Sequence, residues 1–132
     1  MNVTIVGGGF GGVKTALELA KNSKNQITLI SDRNIFQYYP SLYSTATGHA
    51  HFESWTNLGE IFARHDNVHI VIDKITRIDP EAKVLMGESG NKYPYQTCVL
   101  ALGSVTTYFG IQGIDMFSYG IKTEGEIRRL KQ

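Results

Sequence analysis

The stretch "IVGGGFGG", residues 5–12, places five glycines in eight positions behind a short apolar run. Glycine loses more conformational freedom on ordering than any other residue, so such a cluster needs a reason. Its flanks supply one. Asn2 to Val6 is β-branched and apolar and stops at Gly7, the pattern of a buried parallel strand. From Gly11 the period changes: Val13, Ala16, Leu17 and Ala20 recur at helical spacing, with Lys14, Glu18 and Lys21 on the other side. Gly7-x-Gly9-x-x-Gly12 therefore follows a strand and opens a helix, the position of a dinucleotide turn. There Gly7 permits the tight turn, Gly9 lets backbone approach a diphosphate, and Gly12 lets helix and strand pack closely. The first-turn amides and the positive end of the helix dipole would face the phosphates. A purely structural glycine turn is the alternative.

Outward from this turn, Asn22 to Gln26 is polar and ends the helix, and Ile27 to Ile30 forms a second strand. Strand, glycine turn, helix and strand make a βαβ unit with parallel strands. An acidic residue about 20 positions on should hold the ribose hydroxyls. Ser31 stands in that slot with Asp32 next, so Asp32 either reaches round to a ribose or sits in an Asx-type turn. Arg33 either lies over the adenine or 2′ position or is a solvated charge.

Residues 31–55, "SDRNIFQYYPSLYSTATGHAHFESW", are too apolar for a solvated loop and read as a loop with a short packed helix. Asn57 and Glu60 have capping-box spacing, which predicts a helix from about Leu58 to His65. Residues 69–95 read as two or three antiparallel strands, turned at Asp79-Pro80 and Gly87 to Asn91. Thr97 to Leu102 is a further buried strand running into Gly103. Thr123 and Glu126 form a second capping box, and Ile127 and Leu130 begin an apolar face. That helix begins like a longer element, which suggests a fragment.

At 132 residues the chain is one domain's worth, enough to bury roughly two thirds of its unfolded surface. A net charge of +1 gives no electrostatic case for nucleic acid or an anionic membrane. No run approaches a membrane span and no charged-then-apolar leader is visible. A single cysteine, Cys98, excludes an internal disulfide or CxxC pair and suits a reducing compartment. It lies in an apolar strand, where inert buried thiols are common. His49 and His51 form H-x-H without a supporting acidic or cysteine cluster, a poor metal site. His65 and His69 flank a helix-to-strand junction and are expected to face solvent. No Ser-His-Asp set or carboxylate pair stands out, and a cofactor enzyme needs neither.

Four stretches, "VTIVGGGFGGVKTALEL", "ITLISDRNIFQYYPSLYSTATG", "YPYQTCVLALGSVTTYFGI" and "YGIKTEGEIRRLK", together resemble the first part of the FAD domain of type II NADH:quinone dehydrogenases. These belong with the sulfide:quinone oxidoreductases among flavoproteins with two dinucleotide-binding domains. The resemblance implies an α/β, Rossmann-like FAD-binding domain: a parallel βαβ sheet with an antiparallel β-meander crossover, here incomplete. It places Gly7, Gly9, Phe10, Gly11 and Gly12 around the FAD pyrophosphate, and Ser31, Asp32 and Arg33 at the adenosine ribose. Pro40, Ser41 and Tyr43 match the segment near the isoalloxazine, and Lys74 and Ile75 the strand whose backbone meets adenine. Ala101, Leu102, Gly103 and Ser104 match a second glycine motif beside the dinucleotide.

The departures matter as much. Ser31 replaces the expected acid, and "SLY" stands where many such dehydrogenases have two leucines and tyrosine. "TLISDRNIFQYYPS" leans toward the sulfide:quinone branch, yet residues 104–132 hold none of that branch's redox cysteines. Family members run to roughly three times this length, so residues 1–132 would be the first FAD-binding segment, without the NADH domain and the C-terminal membrane-docking part. The resemblance implies that the full protein oxidises NAD(P)H through FAD and passes electrons to a quinone, cytoplasmic or peripheral at the inner face of the membrane. No residue here takes a catalytic role, and the chain alone is expected to be inactive. The alternatives are a sulfide:quinone oxidoreductase relative and a non-catalytic nucleotide-binding or self-associating fragment. A one-domain NAD binder fits less well, because those folds continue with βα units. Exposed apolar surface around residues 36–55 predicts a homo-oligomer.

Overall fold

The computed structural model describes residues 1–48 and 54–130. His49 and His51 lie outside them. The chain divides into two compact units, Met1–Phe36 with Thr56–Gly103, and Gln37–Trp55 with Ser104–Gln132.

The first unit is built on four parallel strands in the order β5-β2-β1-β9. These are β1 (Asn2–Val6), β2 (Gln26–Ser31), β5 (Val68–Ile72) and β9 (Thr97–Leu100). Val3 pairs with Ile27 on one side and Thr97 on the other, and the register holds through Val6. Strand side chains alternate between faces, and here both faces are covered. Val3, Ile5, Ile27 and Leu29 pack with Val13, Ala16, Leu58 and Phe62, on or next to helices α1 (Phe10–Ala20) and α3 (Leu58–Ile61). Val6 and Ile30 turn the other way and meet Leu85, Tyr93 and Tyr95. Leu85 and Tyr93 belong to an antiparallel meander of β6 (Ile75–Asp79), β7 (Val84–Gly87) and β8 (Lys92–Pro94), which links β5 to β9. Burial on both faces explains why β1 and β2 are almost continuously apolar.

Three expectations are revised. Val68–Ile72 is not part of the meander but pairs parallel with β2. A run of five β-branched and polar residues suits either partner, and only the pairing decides. The helix after Asn57 stops at Ile61, because the chain turns through Phe62 and His65 to enter β5 at Val68. Its cap is Asn57 Oδ1 accepting from the Gly59 N–H at 2.7 Å. The last parallel strand ends at Leu100, and Leu100 and Leu102 are 54% and 69% exposed. As the edge strand, β9 has β1 on one side only.

The chain leaves the first unit along β3 (Ile35–Gln37) and returns along β4 (Trp55–Asn57), which pair with each other. In the second unit a 3-10 turn (Tyr39–Ser41) leads into α2 (Leu42–Ala46), which packs against α5 (Glu124–Leu130). Leu42, Thr45 and Ile127 are buried there. The second capping box forms in full: Glu126 N–H donates to Thr123 Oγ1, and Glu126 Oε2 accepts from the N–H groups of Lys122 and Thr123. Leu130 does not join Ile127 in the core and is 43% exposed. A short α4 (Ile114–Phe117) completes the unit. No helix among the described residues is long and apolar enough to cross a membrane.

Candidate nucleotide-binding site

The glycines of the first turn divide by what a side chain would meet. Gly7 has φ +113°, and a Cβ there would lie 2.2 Å from the Ala101 carbonyl oxygen. At Gly12 a Cβ would lie 1.7 Å from the Gly7 carbonyl oxygen, so the close helix–strand approach is real. Gly9 is different. It caps α1 with φ −86°, an ordinary backbone, and a Cβ there would meet nothing among the described residues within 4 Å. Among the described residues, neither packing nor backbone strain explains glycine at this position.

The turn is anchored at both sides. Gly7 N–H donates to Ile30 O and Ala101 N–H to Val6 O, both at 2.8 Å. Helix α1 has no acidic residue in its first turn and a cap without a side chain, so its own first turn does not offset its dipole. Phe10 is 45% exposed and sets its ring edge-on to Phe36 at 5.0 Å. Among the described residues a Cβ on Gly11 would touch only Ala101 Cβ, at 3.5 Å.

At the end of β2, Ser31 is 2% exposed, and its hydroxyl accepts from the Arg33 N–H at 3.4 Å. Gly8 accounts for that burial. A Cβ on Gly8 would lie 2.5 Å from Ser31 Oγ and 3.1 Å from Leu58 Cδ1. Nothing in the sequence marks Gly8, because it falls at a variable position of the fingerprint and its neighbour is 23 residues away. Asp32 and Arg33 form a paired, half-exposed unit: Nε donates to Oδ1 at 3.2 Å and Nη2 to Oδ2 at 3.0 Å. The guanidinium hydrogen bonds hold the Asp32 carboxyl below the usual range against the opposing effect of burial, with lesser help from Lys74. Arg33 is exposed and paired with its neighbour Asp32.

Lys74 follows β5. Its N–H donates to Asp73 Oδ1 at 2.8 Å and its carbonyl accepts from the Glu88 N–H at 2.8 Å. Ile75 begins β6, opposite Gly87. Ala101 closes against Gly7, while Leu102 and Gly103 are exposed, Gly103 at φ +72° with no described residue within 4 Å of where a Cβ would stand. Cys98 is partly buried on the meander side, which pushes its thiol up.

The other expected residues belong to the second unit. Pro40 is exposed in the 3-10 turn. Ser41 Oγ donates to Tyr38 O at 3.1 Å and meets Ser54 Oγ at 2.7 Å, which in turn meets Thr45 Oγ1 at 2.8 Å. Tyr43 is 62% exposed, and Ser104 Oγ accepts from Lys122 Nζ at 3.0 Å. His69 faces solvent as expected, but His65 is half-buried against Phe62, with Nδ1 enclosed. Among the described residues no three His, Cys, Asp or Glu side chains gather as a metal site.

A parallel sheet whose first strand turns through three glycines into a helix, at the carboxyl ends of its strands, defines a Rossmann-like dinucleotide-binding fold. The chain belongs to the pyridine nucleotide-disulphide oxidoreductase family, which it matches over residues 1–132. It is 34% identical over 124 residues to the sulfide-quinone reductase of Aquifex aeolicus, covering 92% of this chain and 28% of that one. It is 31% identical over 135 positions to the type II NADH:quinone oxidoreductase NdhA of Mycobacterium tuberculosis, covering 98% of this chain and 28% of that one. The crystal structure of the A. aeolicus sulfide:quinone oxidoreductase superposes with a TM-score of 0.89 at 30% identity, over 98% of this chain and 30% of that one. The chain therefore spans 28–30% of the length of these relatives.

Proposed function

We propose that this chain is the first segment of the FAD-binding domain of a quinone-linked oxidoreductase. The observation that carries the reading is Gly9: the one glycine of the fingerprint that neither backbone conformation nor packing among the described residues requires, at a helix N-terminus with no acidic residue in its first turn. The residues fit the cofactor. The amides around Gly9, Phe10 and Gly11 would cradle the diphosphate, with Gly7 and Gly12 shaping the turn. Asp32, Arg33, Lys74 and Ile75 would line the adenosine side, with the enclosed Ser31 behind them, and Ala101, Leu102, Gly103 and Ser104 would form the second glycine turn. Pro40, Ser41 and Tyr43 are the candidates for the flavin ring. When bound, FAD would supply the hydride-accepting and electron-passing chemistry, and this chain's part is binding and orientation.

In the full protein NAD(P)H would be the donor and a quinone the acceptor, with membrane contact made by parts beyond this segment and a location at the inner face of the cytoplasmic membrane. Relatives of both quinone-linked kinds support the class. The absence of cysteine from residues 104–132 favours the NADH-oxidising branch. Self-association is the companion proposal. Tyr38, Tyr39 and Tyr43 are exposed as anticipated, but larger exposures lie at Val105, Phe109 and Phe117, at 83%, 88% and 84%. Surfaces of that kind favour a homo-oligomer.

The test is flavin retention after gel filtration, read by visible absorbance, for wild type and Gly9→Val. Retention that disappears in the variant, with circular dichroism unchanged, is the expected result. A wild-type chain that binds neither FAD nor ADP sinks the reading. Light scattering checks the oligomer, and a monodisperse monomer counts against it.

A further inference from the structure

Asp73 is a charged side chain only 8% exposed, and the other acidic groups of known burial among the described residues lie nearer the surface. Its carboxylate collects hydrogen bonds from three directions. Oδ1 accepts from the N–H groups of Lys74 at 2.8 Å and Ser89 at 3.3 Å, and Oδ2 accepts from the hydroxyls of Ser89 and of Tyr93, the latter at 2.7 Å. Gly87 makes room for it, since a Cβ there would lie 1.9 Å from Oδ2. These bonds, led by those from Ser89 and Tyr93, keep the carboxyl below its ordinary range. A buried carboxylate so fully engaged is a costly way to hold a turn, because removing it strands several donors.

What it holds is a particular corner. The Asp73 N–H donates to Ser31 O at 2.9 Å, so the corner is attached to the carboxyl end of β2. Lys74 has its N–H fixed by Asp73 and its carbonyl fixed by Glu88. In an open parallel sheet, ligands lie beyond the carboxyl ends of the strands. With a diphosphate at α1, after β1, the ribose falls at the end of β2, and the base continues toward the next strand in the sheet, β5. Residues 73–75 are the exit of β5.

We propose that Asp73 is a positioning residue of the nucleotide site: by clamping the β7–β8 turn and β8 to the exit of β5, it fixes the main-chain corner on which the adenosine half of the dinucleotide rests. The inference depends on the diphosphate cradle proposed at Gly9. Asp73 touches no ligand itself and acts through the main chain of Lys74 and Ile75.

Two probes separate the halves of the site. Inorganic pyrophosphate uses only the α1 cradle, whereas ADP uses the cradle and the adenosine corner. Titration calorimetry on the whole chain is expected to show Asp73→Ala weakening ADP about tenfold, the size of one charge-assisted hydrogen bond, while pyrophosphate changes less than about twofold. Asp73→Asn keeps an acceptor for the two main-chain N–H groups and should restore most of the ADP affinity. Should Asp73→Ala fail to fold, Tyr93→Phe removes one clamp and keeps the ring, and a selective loss of ADP binding is again expected. Equal losses for both probes, or no loss for ADP, overturn the proposal and leave Asp73 a stabilising residue. A wild type that binds pyrophosphate as well as ADP overturns it too, with the cradle intact. A wild type that binds neither removes the cradle and this inference together.

Discussion

The two units hold their chains by different means. In the first, backbone meets backbone: Gly7 lies against Ala101, Gly12 against Gly7, and four parallel strands share one ladder with both faces apolar. In the second, short helices are tied by side-chain oxygens: Ser41, Ser54 and Thr45 in a hydroxyl chain, and Thr123 with Glu126 in a capping box. The close approaches at Gly7 and Gly12 leave no room for an added atom, whereas the ties of the second unit depend on side-chain acceptors being kept. The difference also follows burial. The sheet core is closed, while residues around Phe109 and Phe117 are left to solvent.

The sharpest way to test the contrast is Gly12→Ala. Its methyl must displace the Gly7 carbonyl, which should cost about 3 kcal/mol or more, as overpacking does where main chain cannot give way. Thermal unfolding monitored by circular dichroism would show it, and a melting temperature within error of wild type would contradict the close approach. In the second unit, Ser54→Ala removes the middle of the hydroxyl chain and leaves the buried Thr45 hydroxyl without that partner. A loss of about 1.5 kcal/mol in urea unfolding is expected for such a stranded group. Thr123→Ala deletes one arm of the capping box, with an expected cost of about 1 kcal/mol and hydrogen exchange quickening in α5 before β1.

The smallest effect is a change of slope with pH. The Asp73 carboxyl titrates lower in the folded chain than in the unfolded one, so its contribution is fully present above the unfolded value of 3.8. It is lost as pH falls from there through the folded value, because the unfolded chain then takes up the proton more readily. Urea midpoints measured from neutral pH down past 3.8 should fall more steeply for wild type than for Asp73→Asn. Parallel curves would mean that the clamp does not titrate.

Much of the first unit is legible because its signals are local. A β-branched apolar run to Val6, a glycine cluster, then period 3.6 from Val13 to Ala20 identify β1, the turn and α1 within 20 residues. Val68–Ile72 reads as part of the meander because a short β-branched run carries no mark of its partner. Leu100 and Leu102 read as buried because apolar character says nothing about standing at an edge. Ser31 invites a ribose contact, and what encloses its hydroxyl is Gly8 and Leu58, a separation no pattern reports. In sequence Asp73 is an ordinary acid beside Lys74. Its partners are 16 and 20 residues further along.

By itself the sequence determined the βαβ unit, the dinucleotide fingerprint and the family resemblance, since each depends on residue types at fixed short spacing along one element. Only the tertiary structure decided which glycines are closed and which is open, which strand stands at the edge, and what the Asp73 carboxylate holds. Those depend on distances between elements far apart in sequence, where a difference of an ångström separates a tolerated atom from an excluded one.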